Sequence, residues 1–325
     1  MTMGFVLRRL ALAAAALALF LPCAAPAGYP EKAVTIIVPF PPGGRTDLMA
    51  RVLTQQLAKA LGQTAVVVNK PGAGGVLGAR EVAAAVPDGY TLGVFSTAVV
   101  TAQYTVPTPT DLKDYAAISV INIDPMALAV KADAPWKTLK DLVAYGRQNA
   151  GKLRIATIPG ASAQIFAASF ANAAGVQGPY VPFKGDADGA TALAGGHIDV
   201  HVAVPVSYKA LAEAGKLRVL ALASESRSPI YKDVPTFREN GVDLVIGSFH
   251  AVFAPRRTPP DVLRTIEAAI DKAMREPELV KQMEASSLGY ANMNQKDAAT
   301  FLAQQDEVYR QVIDKVGLRV APAKK

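Results

Sequence analysis

A chain of 325 residues that is 51% hydrophobic and 19% charged can bury one large core or two of ordinary size, which excludes a disordered protein. Its formal charge of +7 is dispersed, with no clustered basic face and no base-stacking motif, so nucleic acid is excluded as a partner. Aromatic content of only 7% predicts an aliphatic core of the kind that α/β proteins build.

Residues 1–27 stand apart. Arg8 and Arg9 precede an apolar run from Leu10 to Leu21, and Ala25, Pro26 and Ala27 form a small-residue exit. That order predicts a secretory signal peptide cleaved after Ala27. The apolar run is too short for a membrane span, which takes about 20 residues, so the mature chain is expected to be soluble. Pro22 argues against Cys23 as a lipidated first residue, and cleavage after Ala27 leaves a chain with no thiol and no disulfide.

Beyond Tyr29, short β-branched runs alternate with helical patterns, the signature of α/β units with mostly parallel sheets. The first strand, "AVTIIVPF", runs into the loop "PFPPGGRTD" and then into a helix from Asp47 to Leu61. Leu48, Val52, Leu53, Leu57 and Leu61 recur there at helical spacing, and Gly62 ends the pattern. Further strands are expected at "TAVVVN", "TLGVFST", "LRIATI", "PYVPF", "HIDVHVAV", "LRVLALAS" and "LVIGSFHAVFAP". Extended runs near "VINIDPMALAV" and "VIGSFHAVFAP" read as two crossings between lobes. They divide the chain into a discontinuous first lobe, residues 28–124 plus 248–325, and a second lobe, residues 125–247.

In open α/β sheets, ligands meet the carboxyl ends of strands, where loops lead into helix N-termini. Four junctions qualify: Pro39 to Asp47, Ser96 to Thr101, Thr157 to Gln164, and Pro182 to Asp188. Each places small residues before a helix, leaving backbone N–H groups and the positive helix end for an anion. Taken alone, the first loop fits ordinary turn chemistry equally well, with Thr46 or Asp47 capping the helix. It is not a phosphate loop, because Gly43 and Gly44 are adjacent and Arg45 follows them.

"NKPGAGGVLGA" invites a dinucleotide reading but has Leu77 where the third glycine belongs. "GGHIDVHV" sets His197, Asp199 and His201 at alternating positions, too few ligands for zinc, so a packed or solvated histidine is expected instead. No nucleophile elbow and no carboxylate pair is evident, and His250 has no identifiable catalytic partner. The chain is therefore expected to be neither an enzyme nor a holder of a cofactor or metal.

Six segments, in order, carry a family resemblance over nearly all of the mature chain: "YPEKAVTIIVPFPPGGRTDLMARVL", "LGQTAVVVNKPGAGGVLGAREVAAAVPDGYTL", "VPFKGDADGATALAGGHIDV", "AGKLRVLALAS", "DVPTFRENG" and "FAPRRTPPDVL". The chain resembles the Bug family, the substrate-binding proteins of tripartite tricarboxylate transporters. The resemblance implies a type II-like periplasmic binding protein: two α/β lobes joined by a two-strand hinge, closing over a small carboxylate as a monomer and presenting it to membrane permease subunits. An alternative is a sensing module that acts on a two-component histidine kinase. The family's first and third loops nominate Phe40, Gly43, Gly44 and Asp47, with Gly160, Ala161 and Ser162 opposite. Ser96, Lys184, Gly185 and Asp199 follow as second-rank ligand contacts.

Three departures bear on the ligand. Gln164, also expected to contact the ligand, stands where the family has a histidine, Asp186 replaces a glycine, and Phe249 with His250 replace a tryptophan-containing crossing. Arg45 either faces solvent or reaches a second ligand carboxylate.

Overall fold

The computed structural model describes residues 28–107, 110–158, 162–183, 185–228 and 231–321. The expected signal peptide, with Cys23, lies outside these residues. In chain order the first elements are β1 (Val34–Val38), α1 (Arg45–Leu61), β2 (Ala65–Asn69), α2 (Val76–Ala84), β3 (Thr91–Ser96), α3 (Thr97–Thr105) and β4 (Tyr115–Pro125). There follow β5 (Ala127–Lys131), α4 (Leu139–Gln148), β6 (Ile155–Thr157), α5 (Ser162–Ala174), β7 (Tyr180–Pro182), α6 (Asp186–Ala194), β8 (His201–Ala203), α7 (Lys209–Glu213) and β9 (Leu217–Leu222). The chain closes with β10 (Gly247–Pro255), α8 (Pro260–Met274), α9 (Pro277–Ala285) and α10 (Gln295–Lys315).

The first lobe is a five-stranded sheet in the order β2-β1-β3-β10-β4. β1 is apolar on both faces because helices cover both, and its side chains alternate between two cores. Val34, Ile36 and Val38 pack with Met49, Leu53 and Leu57 of α1 and with Ile266 and Ile270 of α8. Ile37 points the other way, into the core that holds Phe95, Tyr115 and Phe253. Phe95 and Phe253 stack there with ring centroids 5.0 Å apart.

The α/β class and the two-lobed arrangement expected from the sequence are observed, but the sheets are mixed rather than mostly parallel. β1 runs parallel to β2 and β3, whereas β10 is antiparallel to both β3 and β4. The cause is connectivity. The chain leaves this sheet after Pro125 and re-enters it at Gly247, so adjacent outgoing and returning strands must oppose each other. In the second lobe β8-β5-β9 are antiparallel, β6 and β7 pair in parallel, and single parallel bridges join Ile155 to Val200 and Leu222 to Thr236.

Helix α1 begins two residues before its expected start and ends at Gly62, whose N–H returns to the Lys59 carbonyl. Leu48, expected in its apolar stripe, is instead 40% exposed, and Met49 and Ala50 take the buried positions. Among the described residues no helix is long and apolar enough to cross a membrane.

Candidate anion-binding site

Parallel pairing of β1 with β3 places both following junctions, 39–44 and 96–97, on one edge of the first lobe. In the same way the parallel β6 and β7, with Thr157 opposite Pro182, end side by side at one edge of the second lobe.

The first junction is held by Asp47. This carboxylate is 3% exposed and sits in the first turn of α1. Its Oδ2 accepts from the Gly43 N–H at 2.9 Å and from Arg51 Nε at 2.9 Å, and its Oδ1 accepts from Asn69 Nδ2 at 2.9 Å. Asn69 Nδ2 also donates to the Phe40 carbonyl, which fixes the start of the loop to the end of β2. Burial opposes ionisation of Asp47, but the hydrogen bonds from Arg51, Gly43 and Asn69 outweigh it and lower its pKa below the ordinary carboxylate value. Gly43 turns the chain at φ +81°, in the left-handed region that favours glycine.

Two expectations are sharpened by this arrangement. The cap is Gly44, in extended conformation, and not Thr46 or Asp47. The Gly43 amide, expected to face a ligand, is engaged by Asp47. The first intrahelical bond runs from Leu48 N–H to the Gly44 carbonyl, and among the described residues the N–H groups of Gly44, Arg45, Thr46 and Asp47 have no partner. Free donors at a helix start, with Gly44 exposed, are suited to an anion. The amides of Arg45 and Thr46 were not singled out from sequence. The distance from the glycine pair to the first apolar repeat was the available signal.

The side chains of Arg45 and Thr46 point toward the two strands that link the lobes. Arg45 Nη2 lies 2.5 Å from Asp124 Oδ2 near the end of β4 and donates to the Ser287 carbonyl at 3.4 Å. The Arg45 side chain is 23% exposed and that of Asp124 only 6%. Asp124 Oδ1 accepts from the Gly289 N–H at 2.7 Å. Thr46 Oγ1 is 3.1 Å from His250 Nε2 in β10, and His250 Nδ1 is 2.7 Å from Asn122 Oδ1 in β4.

The proton positions follow from the network. Asn122 Nδ2 donates to the Gly289 carbonyl, so its Oδ1 accepts from His250 Nδ1–H, and Nε2 accepts from the Thr46 hydroxyl. Burial drives the His250 pKa down to about 4, which keeps the ring neutral. His250 is therefore a link between the first loop and both crossing strands, with no catalytic partner among its contacts.

Ser96 caps α3 by accepting from the Ala98 N–H at 3.4 Å and is almost wholly buried. Gly185 caps α6 in extended conformation, with no side-chain cap. Asp186, next in line, has Oδ1 buried without a hydrogen-bond partner among the described residues, 3.5 Å from His201 Nε2. His201 is packed, as expected, with its Nδ1 also unpartnered. Gly160, Ala161 and Lys184 lie outside the described residues, and of Ser162 only its place at the start of α5 is described.

Two of the expected ligand residues make other contacts. Asp199 takes the Arg154 backbone N–H at 2.8 Å and a two-pronged contact from the Arg154 guanidinium, so it braces the chain before β6. Gln164 lines a cavity of about 490 Å³ between α5 and the end of α10, bounded also by Thr157, Tyr180 and Lys315. That cavity is not lined by the first loop. The uncommitted amides of the first loop are therefore separate from this cavity. Among the described residues no group of three or more His, Cys, Asp or Glu side chains could hold a metal ion.

Two α/β lobes, crossing strands between them and a helix start offering bare amides define the class of periplasmic solute-binding proteins. A family profile described as the tripartite tricarboxylate transporter family receptor matches residues 49–318, and the chain belongs to that family. A Cupriavidus necator relative, "UPF0065 protein in gbd 5'region", is 34% identical over 90% of each chain. The crystal structure of a solute-binding protein of this family from Polaromonas superposes with a TM-score of 0.81, at 32% identity over 89% of this chain and all of that one. Two Rhodopseudomonas palustris structures are also similar: one with bound malate (TM-score 0.73, 27% identity, 88% of this chain, 100% of that chain) and one with adipate (TM-score 0.76, 27% identity, 91% and 100%).

Proposed function

We propose that this chain is an exported, non-catalytic receptor that captures a small carboxylate between its lobes and hands it to a tripartite tricarboxylate-type membrane permease. The observation that carries the reading is the row of uncommitted N–H groups at Gly44 to Asp47, presented by a loop that Asp47 and Asn69 fix in advance. Neutral amides at a helix start hold a carboxylate by charge-assisted hydrogen bonds and still release it, which a carrier requires. The relatives with malate and adipate support the ligand class. Residues 28–124 plus 248–325 would move against residues 125–247, with ligand contacts from both lobes favouring the closed form. Ser96, Gly160, Ala161, Ser162, Lys184 and Gly185 are proposed to complete the cleft.

Calorimetry of the chain lacking residues 1–27 against mono- and dicarboxylates tests this reading. Binding should be enthalpic and saturable, and Asp47→Ala should weaken it at least tenfold. Full affinity in that variant would remove the first loop from the site.

A further inference from the structure

The first loop carries one side-chain cation, and the structure shows where it goes. Arg45 opens α1, so its backbone N–H belongs to the anion-facing row while its guanidinium extends to Asp124. Nη2 serves both Asp124 and the Ser287 carbonyl. Nε is buried without a partner, and among the described residues Nη1 has none either. The guanidinium's remaining solvent-facing donors are therefore uncommitted.

The second lobe faces this group. Lys209 Nζ reaches Ser287 Oγ at 3.4 Å, on the residue whose carbonyl accepts from Arg45. The Tyr231 hydroxyl, whose pKa is raised chiefly by burial, also feels the Asp124 carboxylate and the Arg45 charge. Arg45 thus stands on the floor between the lobes, beside the amide row. A guanidinium offers five donors in a planar fork that matches a carboxylate, and one shared acid does not saturate it.

We propose that Arg45 is the specificity-determining residue for a second acidic group. The α1 amides would hold one carboxylate of the ligand and the free edge of Arg45 the other, so the site takes aliphatic diacids over matched monoacids. Asp124 positions Arg45 and moderates its charge. The inference rests on the carboxylate-receptor reading above.

The test is calorimetry on the chain lacking residues 1–27, with glutarate and adipate against valerate and hexanoate, for wild type, Arg45→Gln and Asp124→Asn. Wild type should prefer each diacid by at least tenfold. Arg45→Gln should reduce that ratio to within about threefold, with monoacid affinity little changed. Asp124→Asn keeps an oxygen for the Gly289 N–H and frees the Arg45 charge, so the ratio should rise. It provides an opposite-sign readout should Arg45→Gln fold poorly. An unchanged ratio in variants that still bind would overturn this inference and leave the receptor reading standing. Absence of binding by all four acids to wild type would overturn both.

Discussion

The loop after β1 and the loop after β7 each run into a helix with an acidic residue in its first turn, yet only one of those carboxylates is satisfied. Asp47 accepts three hydrogen bonds and closes its loop from within. Asp186 leaves Oδ1 buried and unpartnered beside His201, and Thr157, at the neighbouring strand end, has a buried unpartnered hydroxyl. A buried polar atom without a partner costs about 1–3 kcal/mol, so the Asp186 carboxylate carries a deficit that the Asp47 carboxylate does not. The contrast is between a half whose loop carboxylate is finished before a ligand arrives and a half whose loop carboxylate is not.

The largest effect should come from undoing the finished half. Asp47→Ala leaves the Gly43 N–H and the Asn69 amide without their acceptor, at a cost of about 2–4 kcal/mol in urea unfolding. The matching Asp186→Ala should cost less than about 1 kcal/mol, since it removes an unsatisfied group. Equal losses would erase the contrast. Asp47 also sets an acid limit. Its folded pKa is lowered, so its contribution is present above the ordinary carboxylate value and is lost as pH falls through the folded one.

His250 should come next. In the unfolded chain its ring protonates near 6.5, but in the folded protein only near 4. The unfolded state therefore binds the extra proton between those values. Stability should be full above about pH 6.5 and fall by at most about 3 kcal/mol toward pH 4. Unfolding midpoints measured across that range should flatten in His250→Gln; an unaltered slope would place the titrating group elsewhere.

Smaller effects separate binding from bracing. Gly43→Ala meets open space but a left-handed backbone, a strain of about 1 kcal/mol that should appear in ligand affinity as well as stability. Asp199→Ala should cost about 1 kcal/mol of stability and leave ligand affinity unchanged, because its partner is Arg154. A loss of affinity there would restore Asp199 to the site.

Much of this was legible before any coordinates. The β1 run, the proline-glycine loop and the α1 repeat announced a strand, a turn and a helix, and order across six segments announced the family. What could not be read was the direction of side chains over long separations. Asn69 meets Asp47 across 22 residues and His250 meets Thr46 across 204, and no local period encodes either meeting. The Asp199 contact was hidden for the same reason: its partner Arg154 lies 45 residues away. The antiparallel half of the first sheet was hidden too, because pairing direction depends on where a returning strand lands and not on its composition.

Gly289 occupies a seat that admits no side chain. A Cβ at that position would lie 2.0 Å from the Ile123 carbonyl, so the link between α9 and α10 rests directly on the outgoing crossing strand. One added methyl acts as a wedge at that seat, far along the chain from the amide row. Because the Gly289 N–H also holds Asp124 Oδ1, the same wedge would press on the carboxylate against which Arg45 rests.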